Sequence, residues 1–246
     1  NNVNAKKERI ILASTTSTYD SGLLDYLHKN YSYKSKTEVH VISLGTGQAI
    51  ELAKSGNADI LIVHHTPSEV KFINDGYGTI RHNLMYNDYI LVGPKNDIRA
   101  CDSMNQFLLD IINNKFTFIS RGDDSGTHKK EIELWNLLKE DNEKNKSWYL
   151  ESGQGMGKTL LIANNKKAYT LTDRSTWITF KQKNNLEIIC ENKPPLINQY
   201  GIILVKNSIN QNEAKKYLNW IISDKGKELI NNYKIEEQQL FFFNHH

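Results

Sequence analysis

Nine consecutive residues, Ser120-Arg121-Gly122-Asp123-Asp124-Ser125-Gly126-Thr127-His128, combine the groups needed to hold an anion. Arg121 is a forked cation that only donates, Ser125 and Thr127 add hydroxyls, and glycine lets backbone N–H groups approach a ligand closely. Before this motif, Phe116-Thr117-Phe118-Ile119 has strand character. After it, Lys129 to Lys139 places Ile132, Leu134, Trp135, Leu137 and Leu138 at helical spacing. The motif therefore occupies a strand-to-helix turn. There the first amides of the helix lack intrahelical partners and the macrodipole adds roughly half a positive charge.

Other readings of the same residues are weaker. Arg-Gly-Asp is an adhesion tripeptide, but three residues recur by chance. Asp-Ser-Gly is similar to the nucleophile segment of serine proteases, which makes Ser125, with His128 or His64 as base, an enzyme alternative: a serine hydrolase. That protease is built from many short strands, unlike the pattern found here. Asp124 or Ser125 as a plain N-cap is compatible with the anion reading and leaves Arg121 unexplained.

The surrounding chain supplies the elements that position the motif. Arg9 to Ala13 reads as a strand, Leu23, Leu24, Leu27 and Tyr31 as a helix face, Glu38 to Leu44 as a strand, and Ala49 to Ala53 as a helix start. Ala58 to Val63 is a further strand, and Pro67 suits the first turn of the helix that carries Val70, Phe72 and Ile73. Met85 to Pro94 reads as a strand leaving a first lobe. A second series follows: helix 104–112, strand 117–120, the motif helix, strand 148–151, a helix through Leu160, and strand 168–171. Tyr200 to Val205 returns as a strand, and 213–222 and 226–233 close the chain as helices. This alternation predicts an α/β fold with a largely parallel sheet, lobe I being 1–88 plus 200–246 and lobe II 89–199. A ligand cleft is expected between the lobes, lined by loops at the carboxyl ends of strands.

Composition narrows the function. The 246 residues are 39% hydrophobic and 24% charged, with a formal net charge of +3 spread over scattered Lys and Arg. With no long basic block, that pattern does not point to a nucleic-acid stripe. No run of about 18 apolar residues is present to span a membrane. Asn1 to Glu8 is polar and lacks an initiating Met, which fits an exported product whose signal peptide is gone, or a trimmed chain. His245 and His246 have the look of a tag remnant and take no part in the site. Cys101 and Cys190 are far apart, and the tendency of Cys to be buried favours two free thiols over one disulfide.

Four turns share one character: Ser14 to Ser17, Gly45 to Gly47, Arg121 to Thr127 and Gly153 to Gly157. Each follows a strand, precedes a helix and can present N–H groups. Ser14, Thr15, Thr16, Ser17, Thr46, Ser125 and Thr127 add hydroxyls, a donor-rich set suited to a tetrahedral oxyanion. A protonated phosphate would also need an acceptor, whereas a fully ionised sulfate, molybdate or tungstate needs only donors. The strand Ile60 to Val63 ends in His64-His65 without an acid, which leans toward the fully ionised class. Asp123 and Asp124 keep the phosphate alternative open. Adjacent histidines with no matching partner make a poor metal motif, so neither a metal site nor a cofactor is expected.

Several long stretches, in this order, resemble the tungstate-binding proteins of bacterial ABC uptake systems, the TupA family. They are Ser14 to Thr18 with Ser21 to Leu24, Gly45 to Ala49, Met85 to Asp88, Ser120 to His128, Gly153 to Gly157 and Tyr169 to Arg174. The resemblance covers nearly the whole chain. It implies a two-lobed periplasmic-binding-protein fold of type II, a monomeric, non-enzymatic receptor exported to the periplasm, and delivery of tungstate, or molybdate, to a membrane permease and its ATPase. A phosphate- or sulfate-type receptor is the alternative. Arg121 to Thr127 is also similar to the Arg-x-x-x-Ser-Gly-Thr segment of phosphate receptors, which implies ligand contact by Arg121, Ser125, Gly126 and Thr127. Thr15, Thr16, Ser17 and Thr46 join them by their place in matching turns. Ser14 stands where the family usually has Thr, and keeps the hydroxyl.

Overall fold

A computed structural model describes residues 8–139 and 146–246. All of the polar N-terminal stretch except Glu8 lies outside the described residues. The chain divides into two compact units, Asn1–Asn87 with Asn198–His246, and Asp88–Ile197. In chain order, unit 1 begins with β1 (Glu8–Thr15), α1 (Thr16–Asp20), α2 (Leu23–Lys34), β2 (Thr37–Leu44), α3 (Thr46–Lys54), β3 (Ile60–Val63) and α4 (Thr66–Asn74). The long strand β4 (Gly78–Pro94) leads into unit 2. There α5 (Met104–Asn114), β5 (Phe118–Ser120), α6 (Gly126–Asn136), β6 (Tyr149–Glu151), α7 (Met156–Lys166), β7 (Tyr169–Asp173), α8 (Arg174–Thr179) and β8 (Leu186–Cys190) follow. The return strand β9 (Ile197–Val205) precedes α9 (Gln211–Ile221), α10 (Asp224–Asn232), β10 (Lys234–Ile235), β11 (Gln238–Gln239) and β12 (Phe242–Phe243).

In unit 1, β1 runs parallel to both β2 and β3, and the register pairs Thr15 with Leu44 and Ser14 with Ile62. The three carboxyl ends therefore lie side by side. Each is followed by a helix, so Thr15 to Ser17, Gly45 to Gly47 and His64-His65 emerge along one edge. β9 pairs antiparallel with β3, and β12 antiparallel with β4, so the sheet is mixed rather than largely parallel. β3 is buried along its whole length, as its unbroken Ile-Leu-Ile-Val run requires. Ala49, Ala53, Phe72 and Ile203 pack beside it.

Unit 2 repeats the arrangement. β5 is parallel to β6 and β7, with Ser120 opposite Glu151 and Ile119 opposite Thr170. The loops 121–125 and 152–155 thus share an edge. The antiparallel partners here are β7 and β8 on β4. A core of Leu91, Phe107, Phe118, Trp135 and Leu171 lies within this unit, as does Leu160 of α7, packed with Ile90 and Ile119.

A second expectation is overturned by the cysteines. Cys101 and Cys190 form a disulfide, with Cα atoms 5.4 Å apart, and no described cysteine is free. The preference for burial was right for Cys190, but burial does not decide between thiol and disulfide once folding brings two sulfurs together.

Candidate oxyanion-binding site

At the end of β1, the Thr15 hydroxyl caps α1 by accepting from Thr18 N at 3.4 Å, and it pairs with Thr18 Oγ1 at 2.6 Å. Thr18 Oγ1 donates in turn to Tyr200 Oη at 3.4 Å. Tyr200 is buried, and its hydroxyl also accepts from Asn87 Nδ2 at 3.4 Å. Asn198 Nδ2 donates to Asn87 Oδ1 at 2.7 Å and leaves Asn198 Oδ1 to His64 Nδ1 at 3.2 Å. The His64 ring also lies 4.9 Å from that of Tyr200. The donor turn of unit 1 is thus braced from below by neutral polar groups, leaving Thr16 and Ser17 exposed. Burial holds the His64 imidazole below its ordinary range, against the opposing hydrogen bond to Asn198.

Ser14 leaves the donor set. It is buried, and its hydroxyl donates across the sheet to Ile62 O at 2.8 Å, so it pegs β1 to β3. Thr46 opens α3 behind Gly45, whose extended backbone carries no side-chain cap. The amides of Thr46, Gly47 and Gln48 consequently have no partner within the helix. His64 and His65 do not act together. His65 Nδ1 accepts from Ser68 N at 3.3 Å and caps α4, while His64 faces Asn198.

In unit 2, Ser125 caps α6: its Oγ accepts from His128 N at 3.2 Å. Gly126 and Thr127 then supply the amides that the helix cannot use. His128 Nδ1 accepts from Asp124 N at 2.9 Å, so neither Ser125 nor His128 is arranged as a nucleophile-and-base pair. The loop backbone is held by unusual conformations, with φ of 59° at Gly122 and 58° at Asp124. At Gly122 glycine is required twice over, since an added Cβ would also lie 2.9 Å from the Glu151 side chain. Beneath the loop, buried Glu131 accepts from Trp135 Nε1 at 3.0 Å and Tyr149 Oη at 2.5 Å, and also bonds Ser120. Burial pushes the Glu131 carboxyl up, opposed by these donors. Ser120 Oγ accepts from Gly122 N at 3.1 Å, tying the carboxylate to the start of the loop.

Three arginines of unit 2 show how Arg121 differs. Arg174 grips Asp88 with Nε and Nη2, both at 2.7 Å. Arg99 grips Asp97 with the same edge, Nε at 3.0 Å and Nη2 at 2.7 Å, and that contact holds the Asp97 carboxyl down to about 2. Arg121 uses only half of that edge. Its Nη2 meets Asp123 Oδ2 at 2.5 Å, while its Nε is buried without a hydrogen-bond partner among the described residues. Burial would push Asp123 upward, but hydrogen bonds from Ser125 and Arg121 outweigh it and hold the carboxyl low. Asp123 is therefore an ionised acceptor already engaged by Arg121 and by Ser125 N at 3.3 Å.

The fourth turn has the same open form as the second. Gly155, extended, precedes α7 without a side-chain cap, leaving the Met156, Gly157 and Lys158 amides without intrahelical partners. Ser152 N and Gly153 N donate to Ser120 O and Arg121 O at 2.8 and 2.9 Å, so this turn and the arginine loop are stitched together. The bracing residues Thr18, Asn87, Asn198, Tyr200 and Glu131 escaped the sequence reading as partners. Thr18 and Asn87 carried a signal, as parts of the Ser14 to Thr18 and Met85 to Asp88 stretches.

Residues 2–225 match the PBP superfamily domain. The chain is 45% identical over 240 residues to the tungstate-binding protein TupA of Peptoclostridium acidaminophilum, covering 94% of this chain and 83% of that protein. It belongs to the TupA family. The solved tungstate binding protein TupA from Desulfovibrio alaskensis G20 superposes with a TM-score of 0.92 at 34% identity, covering 97% of this chain and all of that one. The tungstate ABC transporter structure from Geobacter sulfurreducens is 40% identical, with a TM-score of 0.71, over 92% of this chain and 99% of that one. TupA proteins are solute-binding receptors, so the chain is a transport component and not an enzyme. No helix among the described residues is long and apolar enough to cross a membrane.

Proposed function

We propose that this chain is the receptor of an ABC uptake system that captures tungstate, or molybdate, and hands it to a membrane permease with its ATPase. It acts as a monomer in the periplasm, needs no cofactor and binds no nucleic acid. The ligand-binding residues in this reading are Thr15, Thr16, Ser17 and Thr46 of unit 1 and Arg121, Ser125, Gly126 and Thr127 of unit 2. The observation that carries it is the half-filled fork of Arg121, whose buried Nε lacks a partner among the described residues while Arg99 and Arg174 use both nitrogens of the same edge. A buried, unpaired N–H on a cation is costly unless an acceptor arrives. An oxyanion beside the α6 amides supplies one and meets charge with charge.

Asp123 supports the fully ionised class. Its oxygens are engaged by Arg121 and Ser125 N, so it is already committed as an acceptor inside the loop and is less free to receive a proton from phosphate. Calorimetry with tungstate, molybdate, sulfate and phosphate tests the assignment, and absence of tight tungstate binding overturns it. Arg121→Ala is expected to weaken tungstate binding by about 2 to 4 kcal/mol, because the anion loses its charged, hydrogen-bonded partner. Near-normal affinity in that variant removes Arg121 from the site.

A further inference from the structure

We propose that His128 is the positioning residue of the arginine loop and makes the loop's hold on its anion sensitive to protons. The inference rests on the reading of that loop as an anion site. Ser125 Oγ accepts from His128 N at 3.2 Å, and the His128 side chain reaches back past the cap residue, its Nδ1 accepting from Asp124 N at 2.9 Å, while Ser125 N donates to Asp123 Oδ1. It is a capping box shifted by one residue, a motif in which the third helical residue is usually Glu or Gln. Those side chains stay acceptors at neutral pH. An imidazole loses its acceptor when it gains a proton.

The amide that His128 holds is a sensitive one. Asp124 sits at φ 58°, between Asp123, which engages Arg121, and Ser125, which caps the helix. To accept from Asp124, neutral His128 must carry its hydrogen on Nε2. A proton on Nδ1 sets N–H against N–H, ends the contact and frees the left-handed residue to relax. Arg121 and the Ser125 cap are then no longer held in place from the Asp124 side.

Charged and titratable groups lie on the loop, on α6 and on β6. Asp123, Asp124 and Arg121 lie in the same loop, Glu131 is one turn along α6 and interacts with it, and Tyr149 and Glu151 belong to β6, which flanks β5. A protonated His128 is also a cation, and simple attraction predicts tighter anion binding in acid. The latch predicts the reverse.

Titration calorimetry of the full chain with tungstate, at about pH 8 and about pH 5, separates the two. Affinity of the unmodified protein is expected to fall roughly tenfold on acidification, the scale of one hydrogen bond. His128→Leu is expected to bind weakly at both pH values, and His128→Gln, with a non-titrating acceptor, to recover binding relative to Leu and flatten the profile. Affinity that is unchanged or stronger in acid, or a Leu variant indistinguishable from the unmodified protein, overturns the proposal. Ligand-free NMR gives a second readout: an Nε2–H tautomer for His128, and exchange protection of the Asp124 amide that is lost in acid. If tungstate binds at neither pH, the receptor reading fails, while the NMR result still decides whether the latch exists.

Discussion

The donor turns of the two units solve one problem with different materials. In unit 1 the turn after β1 is braced by neutral groups alone, through Thr15, Thr18, Tyr200, Asn87 and Asn198. In unit 2 the loop after β5 is braced by carboxylates, with Asp123 on Arg121 and buried Glu131 beneath Ser120, and by left-handed backbone at Gly122 and Asp124. Neutral hydroxyl networks place donors without adding net charge. A cation paired with one carboxylate supplies the charge, on a loop whose backbone is left-handed at two residues.

The largest effect is expected from Cys101→Ser with Cys190→Ser, which opens a link across 89 residues of unit 2. For a loop of that size the cost is about 4 kcal/mol of stability, read by denaturant unfolding with a probe in each unit. Equal loss in both units breaks the distinction.

Next, His28 of α2 tests unit 1. Its ring is buried against Tyr217 Oη at 2.7 Å, and burial lowers its pKa from 6.5 to about 4. The fold favours the neutral ring, so this contribution is fully present above pH 6.5 and is lost as pH falls toward about 4. Thermal melts between those limits are expected to show roughly 3 kcal/mol of loss that His28→Gln lacks. Identical pH profiles for the two proteins count against it.

Gly122→Ala is expected to destabilise the arginine loop by about 2 kcal/mol, from its left-handed backbone and the Glu151 contact, and to weaken tungstate binding with it. A neutral outcome shows that the loop is less constrained than its backbone suggests. The smallest effect is expected from Thr15→Val, which removes a cap worth about 1 kcal/mol and the contact to Thr18. If its loss of tungstate affinity exceeds that of Arg121→Ala, the division of labour between the units is reversed.

Much of this fold was legible because apolar strands and amphipathic helices alternate with polar turns. The motif helix was placed within a few residues, and Ser125 was correctly offered as its cap. α1 was missed because Thr-rich sequence has poor helix propensity, and the element is one short turn held by the Thr15 cap. The first part of β4 was missed because Gly78 to Asn83 is too polar to read as a strand. The disulfide left no trace in spacing. Ser14 was read as a donor because a hydroxyl at a strand tip looks the same in sequence whether it points to solvent or across to Ile62. The fork of Arg121 was beyond sequence altogether: motif residues name a cation, but only packing shows which of its hydrogens lack a partner.

The glycine starts of α3 and α7 carry a consequence for heat stability. Gly45 and Gly155 leave both helices without a side-chain cap, whereas Ser103, Ser125, Asp173 and Ser223 cap others in the same chain. Relative to a Ser or Asp cap, each open start costs only a few tenths of a kcal/mol. Tungstate bound to the folded receptor stabilises it, so the melting temperature is expected to climb steadily with tungstate concentration. A thermal melt then reads how full the receptor is, with no label attached.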